Sequence, residues 1–190
     1  MKTIISMALF CAATCFAQAQ EGTTAPAESA ATSSSPVTRM GAQGMKIAAA
    51  QLESKSDSQV TGTVTFRQVG DEVLVTGMVK GLKPGKHGFH IHDKGDCSAP
   101  DAASAGPHFN PANQHHGGPT TSEHHAGDLG NIEADVSGIV QLNWKAKLSL
   151  SGNDSIIGKS IVVHEGEDDL KTDPAGNSGK RIACGVIKMQ

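Results

Sequence analysis

The amino-acid sequence predicts an all-β fold, an antiparallel barrel or sandwich, for most of its 190 residues. Short segments alternate apolar with polar residues, and glycine-containing turns separate them at the spacing typical of such folds. The chain has 22 glycines, one tryptophan, no tyrosine and five phenylalanines, so valine, isoleucine and leucine must form most of the core. The β-branched share of these residues favours strands and argues against a helical bundle.

The first 19 residues are predicted to be a cleaved signal peptide. A single positive charge precedes an apolar run, residues 4–16, that is too short to span a bilayer. Residues 17–19, Ala-Gln-Ala, then supply the small-residue pattern of a cleavage site. A lipoprotein anchor through Cys11 or Cys15 stays an alternative, although the residues before each cysteine fit a lipobox poorly.

Residues 20–44 are predicted to be a flexible linker that precedes one folded domain, residues 45–190. The linker consists mainly of Ala, Ser, Thr, Pro and Gly and has almost no large apolar residue to bury. Removal of the signal peptide leaves two cysteines, Cys97 and Cys184. In an exported chain two cysteines predict one disulfide, and two free buried thiols are the alternative.

Eight segments of the domain have the alternation expected of strands. In one of them Val60, Val64 and Phe66 share one face and threonines occupy the other. Two long polar segments rich in glycine and proline, residues 93–121 and 165–181, interrupt the pattern and predict functional loops. The predicted strands are residues 46–52, 60–66, 73–79, 88–92, 131–135, 139–146, 160–163 and 182–188.

Charge and hydropathy argue against two classes of function. The formal net charge is −3, with 16 Lys and Arg against 19 Asp and Glu. A sequence-independent nucleic-acid binder needs clustered Lys and Arg to displace counterions, so no nucleic-acid partner is expected. No apolar run is long enough to predict a membrane span.

All nine histidines lie between His87 and His164, and this clustering predicts a metal site rather than scattered surface histidines. His90 and His92 are two residues apart on a predicted strand, so their side chains share a face and can bind one ion. A set of imidazoles with one carboxylate suits Zn²⁺, and an imidazole-rich set without thiolate suits Cu(II).

Six segments resemble, in order, the signature segments of the copper/zinc superoxide dismutase family, and the resemblance extends from about Lys46 to the C-terminus. It implies an eight-stranded antiparallel Greek-key barrel, an immunoglobulin-like sandwich, with two long functional loops. It also implies an oxidoreductase that converts superoxide to dioxygen and hydrogen peroxide in antioxidant defence. The segments are 88–92 (GFHIH), 106–111 (GPHFNP), 116–119 (HGGP), 125–131 (HAGDLGN), 162–165 (VVHE) and 179–185 (GKRIACG).

The resemblance further implies one copper and one zinc per chain. In this family copper cycles between two oxidation states and zinc is structural. The shared ligand, His108, would bridge the two ions as an imidazolate, and would take up a proton and return it to the forming peroxide. The implied copper ligands are His90, His92, His108 and His164, and the implied zinc ligands are His108, His116, His125 and Asp128.

Two further roles come from the same resemblance, and a third is a hypothesis from the local charge of the second loop. Arg181 matches the family's substrate-guiding arginine, since a guanidinium stays charged while it donates hydrogen bonds to an anion. Asp168 matches the carboxylate that links the copper and zinc ligands, and Asp169 is the weaker candidate. We hypothesise that Lys171, with Lys180, helps to steer superoxide towards the site.

The remaining histidines, His87, His115 and His124, are expected to face solvent. His87 lies before the predicted strand of His90 and His92, and the family spacing selects His116 and His125 rather than their neighbours His115 and His124 as ligands. Two alternatives to this enzyme are a metal-binding protein without catalysis and a copper-only relative. Both should lack a ligand, Arg181 or the second loop, and this sequence has all of them.

The loop at residues 93–107 resembles that of bacterial exported family members more than that of animal cytosolic ones. With the signal peptide, this predicts the periplasm of a Gram-negative bacterium, and secretion is the alternative. Family members of this kind occur as monomers and dimers, so a homodimer is compatible with the sequence and no single residue decides between them.

Overall fold

The computed structural model describes residues 45–190, and the predicted signal peptide and linker, residues 1–19 and 20–44, lie outside them. The described part is almost entirely strand and loop, with one three-residue 3₁₀ helix, Ala103–Ala105. None of its helices has the length and apolar character needed to cross a membrane. The strands are β1 (Ile47–Ser54), β2 (Thr61–Val69), β3 (Glu72–Lys80), β4 (Gly85–His92), β5 (Asp128–Ala134), β6 (Ile139–Ala146), β7 (Ser160–His164), β8 (Arg181–Val186) and β9 (Lys188–Met189).

Eight strands form one antiparallel sheet in the order β5-β4-β7-β8-β1-β2-β3-β6, and the short β9 pairs with β1. Neighbours that are distant in sequence, such as β4 with β7 and β1 with β8, are the crossovers of a Greek-key topology. The end strands β5 and β6 approach each other, so the sheet is nearly closed into a barrel. The predicted all-β architecture is confirmed, and the predicted strand 182–188 is divided at Ile187 into β8 and β9.

Alternation along β4 separates the hydrophobic core from a polar cluster. Phe89 and Ile91 belong to the main core, and His90 and His92 alternate with them on the opposite face of the strand. All four side chains are buried, so β4 is covered on both faces. Strand β7 has the same alternation and places His164 on the face of the two histidines.

A second, smaller apolar cluster attaches the first long loop to this outer face. Ala102 and Ala105 of the loop pack with Val162 of β7 and with the disulfide between Cys97 and Cys184. The disulfide predicted from the cysteine count is therefore present. It joins residues separated by 87 positions, and the chain-entropy model assigns a loop of that size about 4.6 kcal/mol of stabilisation.

Candidate metal centre

Four buried histidines converge above the outer face of β4 and β7; we call His90, His92, His108 and His164 the strand-held group. Three of them stand on hydrogen-bonded strands, whose register pairs His90 with Val162. The fourth, His108, enters from the first loop and forms an isolated β-bridge with His92. Their ligand atoms all lie within 4.8 Å of one another.

The loop residue His108 is positioned by a short backbone ladder at the end of β4. Phe109 N donates to the Ile91 carbonyl at 2.8 Å, and Gly127 N donates to the Phe109 carbonyl at 2.9 Å. A Cβ at Gly127 would collide with the Ile91 carbonyl oxygen, so only glycine permits this approach. Two loop segments are thereby attached to the edge of a strand that already carries two ligands.

The strand-held group presents four ring nitrogens that have no hydrogen-bond partner among residues 45–190. They are His90 Nδ1, His92 Nε2, His108 Nε2 and His164 Nε2. An unpartnered buried polar atom costs free energy, so a convergent set of four calls for a ligand that accepts their lone pairs. A divalent ion with an affinity for imidazole, such as copper, fits this donor set.

The other ring nitrogen of each strand histidine is held by a hydrogen bond. His92 Nδ1 donates to the Gly106 carbonyl at 2.8 Å, and His164 Nδ1 donates to the Gly179 carbonyl at 3.2 Å. His90 Nε2 donates to Asp168 Oδ2 at 2.8 Å. These bonds fix the tautomer and the ring orientation that leave the opposite nitrogen free for a metal.

A second group surrounds one carboxylate oxygen; we call His108, His116, His125 and Asp128 the loop-held group. Asp128 Oδ1 lies 2.7 Å from His108 Nδ1, 3.1 Å from His116 Nδ1 and 3.2 Å from His125 Nδ1. His125 Nδ1 and His108 Nδ1 are 3.3 Å apart. A tetrahedral zinc site with bonds of about 2.0 Å separates its ligand atoms by about 3.3 Å, so these four atoms fit zinc.

The buried carboxylate Asp168 connects the two groups. It accepts a hydrogen bond from His90 Nε2 on one oxygen and from His116 Nε2 on the other, at 2.8 and 2.9 Å. Burial alone would raise the pKa of Asp168, but these two hydrogen bonds outweigh burial and lower it overall. The carboxylate therefore stays ionised and orients one ligand of each group.

Contacts that sequence reasoning missed hold Asp168 in place. The Asn131 side chain of β5 donates to the Asp168 carbonyl at 2.9 Å and accepts from its backbone N–H at 2.8 Å. A Cβ at Gly176, where φ is +60°, would collide with the Asp168 carboxylate. Asn131 is part of a motif quoted for the resemblance, but only the fold brings it to residue 168.

The electrostatics of the two groups differ. Burial lowers the pKa of His90 to about 4 and that of His164 to about 3, and it lowers the pKa of His92 well below its usual value. Burial opposes protonation of His116 as well, but hydrogen bonds to Asp128 and Asp168 raise its pKa to about 10. Burial thus keeps His90, His92 and His164 neutral, the form a metal requires, whereas the carboxylates beside His116 stabilise a positive charge there, so the loop-held site favours a cation.

Arg181 lies beside the strand-held group. It is the first residue of β8 and pairs with His164 of β7. Its Nη1 donates to the carbonyl of Ala102, in the loop that the disulfide attaches, at 2.8 Å. Its positive charge contributes to the low pKa of His92 and His164, and partial burial lowers its own pKa.

The three histidines expected to face solvent have different environments. His115 is exposed and His124 is half-buried, but the prediction for His87 is wrong. His87 is only 3% exposed, with its ring nitrogens 2.9 Å from the carbonyl oxygens of His164 and Lys83. His87 lies on β4 two residues before Phe89, so the two side chains share one face of the strand. This shared face was the available sequence signal for burial.

Two other candidates of the second loop, Asp169 and Lys171, form no hydrogen bond with a ligand among the described residues. Asp169 is half-buried and accepts hydrogen bonds from Lys171 N, from both Thr172 donors and from Asn177 Nδ2. The side-chain and backbone bonds from Thr172 lower the pKa of Asp169 to about 2. Asp169 therefore organises the second loop, and the Lys171 side chain is exposed on it.

Comparison with known proteins agrees with this geometry. A family model described as copper/zinc superoxide dismutase (SODC) matches residues 60–187. A relative named superoxide dismutase [Cu-Zn], from Yarrowia lipolytica (strain CLIB 122 / E 150), is 47% identical over 143 residues. The matched region covers 70% of this chain and 92% of the relative.

Proposed function

This chain belongs to the copper/zinc superoxide dismutase family and catalyses the dismutation of superoxide. On this basis we propose that its two ligand groups bind different metals. The strand-held group holds copper and the loop-held group holds zinc, with His108 shared between them. The observation that carries this division is the set of unpartnered nitrogens, because His108 Nε2 faces one group and His108 Nδ1 faces the other.

The reaction converts two superoxide anions and two protons into one dioxygen and one hydrogen peroxide. Copper, when bound, supplies the one-electron redox chemistry that zinc lacks. The chain itself must bind the anion, orient it and supply a proton.

His108 is the residue we assign to proton delivery. Its Nε2 is buried, has no hydrogen-bond partner among the described residues, and faces the strand-held group. Its Nδ1 is fixed 2.7 Å from Asp128 Oδ1, so the ring keeps its orientation when Nε2 holds a proton. A proton on that atom is directed to the place where the reduced oxygen species forms.

Arg181 is the residue we assign to substrate guidance. Pairing with His164 and the hydrogen bond to the Ala102 carbonyl keep the guanidinium beside the strand-held group. A guanidinium has five N–H donors, so it retains donors for a small anion after one is used. A fixed positive charge there attracts superoxide despite the acidic character of the whole protein.

Metal content and activity should be measured on one purified sample. We expect about one copper and one zinc per chain by elemental analysis, in line with the two donor groups. Removal of copper should abolish dismutation and its return should restore it, since zinc has no redox chemistry. A protein fully loaded with both metals but without activity would contradict the catalytic assignment and leave a metal-binding relative as the better description.

We also propose that the protein is exported, to the periplasm of a Gram-negative bacterium, with residues 1–19 removed. The Cys97–Cys184 disulfide supports this, since structural disulfides persist in oxidising compartments. The mature chain should begin at Gln20 and co-fractionate with periplasmic markers. A purified chain that retains its first residues would contradict the proposal. The mass in solution distinguishes a monomer from a homodimer.

A further inference from the structure

The turn between β1 and β2 has an unusual backbone. Ser56 and Asp57 both have positive φ, at 50° and 59°, and Ser58 N donates to the Lys55 carbonyl at 3.0 Å. These features are those of a type I′ turn, whose two central positions favour Gly, Asn or Asp. A serine in the left-handed region is strained, so this turn retains a residue that the local backbone does not favour.

The two serines of this turn contact the strand that begins with the substrate-guiding arginine. Ser56 Oγ donates to the carbonyl of Arg181 at 2.9 Å, and Ser58 Oγ donates to the carbonyl of Ile182 at 2.6 Å. Ser56 N donates to the carbonyl of Pro100 at 2.8 Å. The turn therefore binds both β8 and the disulfide-attached loop.

These contacts hold Arg181 at both ends. Its backbone is held by Ser56, and its guanidinium is held by the carbonyl of Ala102. Ala102 lies two residues after Pro100, which Ser56 also contacts. One serine thus sets the distance between the strand that carries the arginine and the loop that receives its side chain.

We propose that Ser56 and Ser58 are positioning residues for Arg181, which they aim at the strand-held group. The proposal rests on the proposed role of Arg181 in guiding superoxide. The hydroxyl groups restrain the start of β8, so their loss lets the guanidinium leave the direction in which it meets a small anion. Neither serine touches the metal ligands or the substrate.

The sharpest variant is Ser56→Gly, with Asp57→Gly as its matched control. Glycine removes backbone strain at both positions, but only the first change removes a hydrogen bond to Arg181. Neither variant should lower the free energy of unfolding by more than the contribution of one hydrogen bond. All variants are assayed at the same ionic strength, because salt screens both the charge that the control removes and the attraction between Arg181 and the anion.

Anion affinity provides the readout that a merely structural role would not change. Azide, a small monovalent anion, is titrated into each variant loaded with copper and zinc, and metal content is matched beforehand. Ser56→Gly should weaken azide binding and slow dismutation about fivefold, the factor that corresponds to one hydrogen bond of ordinary net strength. Asp57→Gly should keep wild-type values of both.

Substitution of Ser58 is an independent test, because it leaves Ser56 and Asp57, the two central residues of the turn, unchanged. Ser58→Ala should lower azide affinity, and Ser58→Thr, which retains a hydroxyl, should restore it. In an Arg181→Ala background neither serine substitution should have any further effect, since the serines act through the arginine.

The outcomes separate this inference from the function on which it rests. If Arg181→Ala itself leaves azide affinity and rate unchanged, the proposed role of Arg181 is wrong and the inference with it. If Arg181→Ala is impaired but Ser56→Gly and Ser58→Ala behave as wild type, the inference alone is wrong. Equal losses from Ser56→Gly and Asp57→Gly would also overturn it, because they would show a general effect of the turn.

Discussion

The two ligand groups differ in what positions their side chains. In the strand-held group three of four ligands stand on β4 and β7, and ladder hydrogen bonds fix their backbones. In the loop-held group only Asp128, the first residue of β5, belongs to a strand. The sheet therefore forms the first group as a consequence of folding, whereas the second depends on the order of a loop.

This difference indicates that the cation has a different structural role in each group. Strand ligands are already placed, so binding costs little ordering entropy. The loop ligands must be ordered when the cation binds, and part of the binding free energy is spent on that ordering. Zinc is accordingly expected to order the loop, and copper is expected to enter a site that exists without it.

Asp128→Asn should have the largest effect, because it removes the one charged ligand of the loop-held group at nearly constant volume. Zinc affinity should fall more than about 100-fold, since even partners outside the ligand set change affinity by about 10–100-fold. Copper affinity should fall far less. Competition with a chelator measures both, with Asp135→Asn, just beyond the other end of β5, as the equal-charge control. Similar losses of the two metals would contradict the distinction between the groups.

Asp168→Asn should have an intermediate effect that is larger for zinc than for copper. The amide can replace only one of the two acceptors that orient His90 and His116, and a loss of about 10–100-fold is typical of such partners. His90 stays on the β4 ladder when its partner weakens, whereas His116 has no strand to hold it. The same chelator titration serves as the measurement.

The matched control for that prediction is Asp169→Asn. Asp169 carries the same charge one residue away, but its hydrogen bonds go to Thr172, Asn177 and the Lys171 N–H rather than to a ligand. Its substitution should loosen the second loop with little change in zinc affinity. If the two variants lower zinc affinity equally, general loop order rather than the bridge explains the effect.

Residues whose positions follow from local periodicity could be predicted from the sequence. The two-residue spacing of His90 and His92 places both on one face once the segment is recognised as a strand. The identity of the loop ligands could not be obtained in this way. His115 and His116 are adjacent and chemically equal, and only the resemblance to a family selected His116, which the structure places in the loop-held group.

Residues whose roles depend on long-range contacts were missed for a physical reason. Asn131 meets Asp168, and Ser56 meets Arg181, across 37 and 125 residues of sequence, so no local pattern signals either contact. His87 is a different case, because it alternates in step with Phe89 and Ile91 but lies one residue before the predicted strand, whereas β4 begins at Gly85 and includes it. The carbonyls of Lys83, just before β4, and of His164, at the end of β7, provide its ring with polar partners inside the protein.

His87→Ala should have the smallest effect on metal binding, although it removes a contact with the backbone of His164. The loss of buried atoms and of a hydrogen bond should lower the free energy of unfolding by about 1–3 kcal/mol. Copper affinity should change less than about threefold, the scale of half an ordinary hydrogen bond, because the β4–β7 ladder still positions His164. Urea unfolding of the metal-free protein and copper titration measure the two quantities separately. A large loss of copper affinity in a variant that remains folded would show that the sheet alone does not position the strand-held group.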